Sequence, residues 1–107
     1  MPEKKIESLN KNKELAQFSK GLANPHRVKI IKILANLPGK QRCKVNSLVD
    51  KLPISQSTVS QHLKILKETG WIEGEIDGPS VCYCLKPKVF KQYKDLLSDL
   101  ERGAKDE

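Results

Sequence analysis

Aromatic residues are scarce in this chain, with one tryptophan, two tyrosines and two phenylalanines among 107 residues. A core built mainly from rings is excluded, so leucine, isoleucine and valine must supply most of the buried surface. Cysteine is also scarce. Cys43, Cys82 and Cys84 are an odd number and too few for a disulfide framework. No stretch approaches the roughly 18 consecutive apolar residues of a membrane span. The opening MPEKKIESLNKNK lacks the apolar segment of a secretory signal, which predicts a cytoplasmic protein. There is no glycine-rich phosphate loop, nucleophile–histidine pattern or pair of carboxylates, so neither catalysis nor a bound cofactor is expected.

What the chain does have is charge, mostly of one sign. Twenty Lys and Arg against thirteen Asp and Glu leave a net charge of +7. A surplus of that size favours a polyanionic partner, either nucleic acid or an anionic membrane. The basic stretch KPKVFKQYK (86–94) places its Phe and Tyr where a packed helix wants them, which argues against a membrane surface. The length suits one domain with one core, spanning 1–107.

Apolar spacing divides the chain into elements. Ile6, Leu9, Leu15, Phe18 and Leu22 mark an amphipathic helix. Asn24-Pro25 opens a second, with Asn as N-cap and Pro in the first turn. Val28, Ile31, Leu34 and Ala35 follow at helical spacing, and Pro38-Gly39 stops it. After a polar loop, Ser47 is read as the cap of a short helix carrying Leu48, Val49 and Leu52, which Pro53 ends. Ser55 caps the next helix, and Gly70 closes it. Beyond Gly70 the period becomes two. Ile72 and Ile76 alternate with Glu73 and Glu75, and Val81, Tyr83 and Leu85 alternate with Cys82 and Cys84, around an Asp77-Gly78-Pro79-Ser80 turn. Val89, Tyr93, Leu96, Leu97 and Leu100 return to helical spacing. The expected fold is mainly α with a small β-hairpin wing, in the order α-α-α-α-β-β-α, a winged helix–turn–helix.

The helix from Gln56 carries the chemistry. Val59, Leu63 and Leu66 recur at i, i+4 and i+7 and must face the core, while Ser57, Gln61 and Lys64 share the opposite side, flanked by Gln56 and Ser60. Glutamine can bond adenine with both amide atoms, and the hydroxyls of Ser57, Thr58 and Ser60 can bond bases or phosphates. Lys64 and Lys67 are candidates for phosphate neutralisation. A merely solvated polar face is the bland alternative, and its position after a short capped helix and before a hairpin argues for more.

LANPHRVKIIKIL (22–34), VNSLVDKLPISQSTVSQHLKILKETGWI (45–72) and the hairpin ending VCYCL resemble the ArsR/SmtB family of bacterial winged-helix repressors over roughly 15–100. The resemblance implies a homodimer joined by outer helices (about 5–21 and 87–101) and a helix–turn–helix (about 47–69). It also implies a wing (about 71–85) and groove contacts from Gln56, Ser57, Ser60 and Gln61. His62 is read equally as a DNA contact or as a histidine packed beside Leu63 and Leu66. A two-fold dimer should bind an inverted repeat with half-sites about 34–36 Å apart, or a multiple of that.

Two features depart from the family pattern. The wing carries Glu73, Glu75 and Asp77, which repel phosphate, and Pro53 stands where the turn favours glycine. The usual metal switches are also missing. Where one family site has two cysteines, this chain has Lys44 and Asn46, with Cys43 one residue off. The other site needs Asp and His on the last helix, and the two histidines, His26 and His62, lie elsewhere. Cys82 and Cys84 remain as a candidate thiol sensor for a soft metal, a trivalent arsenical or an oxidant, set against the plain reading of two small hydrophobes on a half-buried strand. The alternative functions are a protein-interaction module that has lost DNA binding, which the acidic wing favours, and a thiol-redox protein using Cys82 and Cys84.

Overall fold

The computed structural model describes residues 2–37 and 43–104. Helix α1 (Pro2–Gly21) precedes α2 (Pro25–Ala35), and a two-residue strand β1 (Cys43–Lys44) leads directly into α3 (Val45–Asp50). Helix α4 (Gln56–Glu68) follows, then the hairpin β2 (Ile72–Asp77) and β3 (Ser80–Leu85), and finally α5 (Val89–Arg102). The expected order of helices and hairpin holds, with β1 as an addition. That strand pairs antiparallel with β3, Cys43 opposite Tyr83 and Lys44 opposite Cys82, so the sheet has three strands in the order β1-β3-β2. Two residues are too few to show a period, which is why the sequence reads there as loop.

The caps explain most boundaries. Asn24 Oδ1 accepts from the backbone N–H of His26 at 2.8 Å and of Arg27 at 3.4 Å, holding the start of α2. At the end of α4 the Trp71 N–H reaches Leu66 O at 3.0 Å and the Gly70 N–H reaches Lys67 O at 3.3 Å. This paired closure requires a left-handed residue, and Gly70 has φ of +92°. In the hairpin Asp77 pairs with Ser80 across Gly78-Pro79, and Gly78 has φ of +61°. Glycine first and proline second suit the turn that matches the strands' twist. Ser47, by contrast, is not a cap. Helix α3 starts two residues earlier at Val45, because the chain enters it straight from β1. Pro38-Gly39 lies outside the described residues.

The core joins Ile30, Ile31 and Leu34 of α2, Leu48 and Leu52, the inner face of α4, Trp71, Ile72 and Val89. The face of α2 is rotated from the expected one: Arg27, Ile30, Ile31 and Leu34 are buried, while Val28 is only half-buried and Ala35 is exposed. Trp71 gathers the few aromatics, with ring centroids 5.4 Å from Phe18, 5.3 Å from Tyr93 and 5.9 Å from Phe90. Those rings belong to α1 and α5, so the single tryptophan ties the outer helices to the end of α4. The outer helices also meet through Ser19 Oγ and Tyr93 OH at 3.0 Å. Part of their apolar surface stays open: Ile6, Leu9, Leu97 and Leu100 are exposed, and so is Phe90 beyond its contact with Trp71.

Candidate nucleic-acid interface

Helix α4 is held from one side only. Val59, Leu63 and Leu66 are 0%, 1% and 0% exposed, the spacing expected from the sequence. Burying each contributes about 1.5–3 kcal/mol, enough to anchor a helix of this length without help from its outer face. That outer face is therefore free to be chosen for chemistry. Ser57, Gln61 and Lys64 are exposed on it, Gln56, Ser60 and Lys67 are exposed beside it, and Thr58 and His62 are half-buried at its edges.

At the helix start three hydroxyls form a cluster. Ser55 Oγ accepts from the Thr58 N–H at 3.3 Å and lies 2.9 Å from Thr58 Oγ1 and 3.1 Å from Ser57 Oγ. The cluster fixes the rotamers of Ser57 and Thr58 and leaves their remaining lone pairs for an outside donor. Thr58 thus serves the cap first. The two glutamines, one turn and a half apart, have no such local partner among the described hydrogen bonds and project beyond the cap.

His62 is drawn inward by Arg27, a residue that apolar periodicity alone does not single out. Arg27, 9% exposed, donates Nε–H to Gly21 O at 2.9 Å and an NH2 proton to Lys20 O at 3.1 Å, both carbonyls at the end of α1. Its third contact is with His62 Nδ1 at 3.3 Å. Arginine cannot accept, so His62 Nδ1 is the acceptor and the ring proton sits on Nε2. A positive side chain at a helix C-terminus is also favoured by the helix dipole. Arg27 thereby links α1, α2 and α4. A signal for it was present: Arg27 shares the i, i+3, i+4, i+7 face of Ile30, Ile31 and Leu34, and a charge on an apolar face needs partners.

Burial, then the Arg27 charge, then the His26 ring with its centroid 6.0 Å away, hold the His62 pKa below its ordinary value of 6.5. The neutral ring is the form that the fold favours. Its stabilising contribution is therefore full above about pH 6.5, the unfolded value, and is lost as pH falls through the lower folded value. Denaturant midpoints measured downward from pH 7.5 should decline in that window, and His62→Gln should flatten this part of the profile. An unchanged slope in the variant would assign the decline elsewhere.

The wing stands beside α4 with its charges reversed. Glu73 and Glu75 are exposed on β2, and Ile76 near the tip is 81% exposed although it shares a face with the fully buried Ile72. The hairpin simply runs past the end of the core. Cys82 is buried and Cys84 half-buried on β3. Among the described residues, no three His, Cys, Asp or Glu side chains are grouped to hold a metal ion, and no helix is long and apolar enough to cross a membrane.

A short helix, a turn, an outward-facing polar helix and a following antiparallel hairpin define a winged helix–turn–helix domain. The sequence profile of the family described as "Bacterial regulatory protein, arsR family" matches residues 24–73, from the cap of α2 to the start of β2. Residues 24–73 thus carry an ArsR-family helix–turn–helix domain. It is 47% identical over 69 residues to the HTH-type transcriptional repressor SmtB of Mycobacterium tuberculosis, covering 64% of this chain and 48% of that protein. It therefore spans about half the length of that relative. An uncharacterized HTH-type transcriptional regulator of Methanocaldococcus jannaschii is 29% identical over 92 residues, covering 86% of this chain and all of that one. Among solved structures, a possible transcriptional regulator for arsenical resistance superposes with a TM-score of 0.65 at 29% identity, covering 85% of this chain and 95% of its own.

Proposed function

We propose that this protein is a dimeric, cytoplasmic transcriptional repressor that reads an inverted-repeat operator through α4 and is released from it by a signal. The observation that carries this reading is the division of α4. Three fully buried aliphatic side chains hold one face, Ser57, Gln61 and Lys64 are exposed on the opposite one, and Gln56, Ser60 and Lys67 are exposed beside it. Gln56 and Gln61 offer amide pairs to base edges, Ser57 and Ser60 are short enough for close approach, and Lys64 and Lys67 neutralise phosphates. Thr58 and His62 border this face and contribute at its margin. The net charge of +7 supports a polyanionic partner. The acidic wing contributes little to phosphate binding.

The second copy is supported by the outer helices. Ile6 and Leu9 of α1 and Phe90, Leu97 and Leu100 of α5 form exposed apolar positions on two helices that pack together. A self-complementary two-fold contact covers them and sets two α4 helices against successive turns of one DNA face.

Gel-shift titrations at two salt concentrations test the reading. Affinity should fall steeply as salt rises, because phosphate contacts release counterions. Gln56→Ala and Gln61→Ala should each weaken binding to the selected operator by about 1–3 kcal/mol and relax base preference at one position. Lys64→Ala should weaken all sequences alike and reduce the salt slope by about one. Failure to bind any duplex at low salt would favour a protein-interaction module instead.

A further inference from the structure

Cys82 and Cys84 sit on the middle strand of the sheet, where no step of DNA reading needs a thiol. Tyr83 and Leu85 pack against the core, so strand alternation puts both sulfurs on the other face. At a rise of about 3.3 Å per residue their Cα atoms are roughly 6.6 Å apart. Glu73 stands opposite Cys84 in register and Glu75 opposite Cys82. The Cys84 thiol donates to Glu73 Oε1 at 3.6 Å.

That placement counts against two kinds of chemistry. A disulfide within the pair needs β-carbons about 3.5–4.5 Å apart, and side chains on one strand face remain nearly as far apart as their Cα atoms. Closing the gap would buckle a strand hydrogen-bonded on both sides. A tetrahedral ion such as zinc needs three or four ligands, and among the described residues no group of three is assembled. Two sulfurs reaching toward each other from a wide base suit an ion content with two soft ligands on opposite sides of it.

We propose that Cys82 and Cys84 form a two-coordinate site for a soft univalent cation of the copper(I) and silver(I) type. Thiolate softness selects such ions over harder divalent ones. Carboxylates beside the thiols attract a cation rather than an anion. Binding breaks two S–H bonds and forms two sulfur–metal bonds. Both protons leave to solvent, that of Cys84 by way of Glu73, and no electron is transferred. Half-buried Cys84 meets the ion first, and buried Cys82 completes the site.

The test is titration of the full chain with silver(I) in chloride-free buffer, with ions counted by native mass spectrometry and the sulfur-to-metal absorption followed in the ultraviolet. The wild type and Cys43→Ser should each take one tightly held ion. Cys43 lies opposite Tyr83 rather than beside the pair in register. Cys82→Ser and Cys84→Ser should each bind more than about 100-fold more weakly, beyond the loss seen on removing a partner that only orients a metal ligand. Cys82→Ala is the second variant if a buried serine disrupts the fold. Equimolar zinc(II) should not displace silver. Tight binding retained in the Cys82 and Cys84 variants, binding lost in Cys43→Ser, or displacement by zinc(II) would each overturn the assignment.

Discussion

Trp71→Ala should destabilise the domain by about 3–5 kcal/mol, the range for truncating a large buried aromatic side chain. Trp71 is fully buried, and its Nε1–H donates to Phe18 O at 2.7 Å. The substitution thus leaves a cavity bordered by Phe18, Phe90 and Tyr93 and removes the donor from an α1 carbonyl. The packing is tight here: a Cβ on Gly21 would fall 2.5 Å from Trp71 Cδ1. Trp71→Phe separates the two losses, since it keeps much of the volume and loses the N–H, at about 1–3 kcal/mol. Urea unfolding at one fixed protein concentration measures both, because association would otherwise shift the midpoint. The ring also bridges α4 to both outer helices, so in the proposed dimer Trp71→Ala should weaken self-association together with stability. A loss below about 1 kcal/mol would mean that the surrounding rings collapse into the space.

Arg27→Met should cost about 2–3 kcal/mol, because it removes charge-assisted bonds to two carbonyls and one ring nitrogen from a mostly buried site. Gly21 O loses its Arg27 donor, whereas Lys20 O still accepts from Ala23 N at 3.2 Å. Arg27→Lys keeps the charge without the planar fork and cannot reach three acceptors spread over two elements, so it should restore less than half of the loss. A second readout is specific to the contact. Without the guanidinium the His62 pKa should rise toward its ordinary value, visible as a shifted NMR titration of that ring, because one of the charges lowering it is gone. Lost stability with an unmoved His62 titration would limit Arg27 to its two carbonyls on α1.

Local rules made α4 legible from sequence. Val59, Leu63 and Leu66 fixed its buried face, Ser55 its start and Gly70 its end, and the exposed positions of Ser57, Gln61 and Lys64 follow from the same period. The features that were not legible depend on partners far along the chain. Arg27 sits on the core face of α2 because carbonyls of α1 and a histidine 35 residues away accept its protons. Apolar periodicity ranks a charged residue as surface, and so it placed the face of α2 slightly off. Ser47 had the right chemistry for a cap, but β1 delivers the chain already turned into α3, and a two-residue strand has no period to detect. Ile76 and Ile72 have the same alternation, yet one is exposed and the other buried, because only the base of the hairpin reaches the core.

Selecting bound sites from random duplexes shows whether α4 reads DNA as one half of a two-fold pair. The expected result is enrichment of an inverted repeat with half-site centres one helical turn, about 34–36 Å, or a multiple of that apart. Gln56→Ala and Gln61→Ala should each degrade preference at symmetric positions in both halves. Enrichment of a single unsymmetrical site, or a preference indifferent to both glutamines, would contradict that reading.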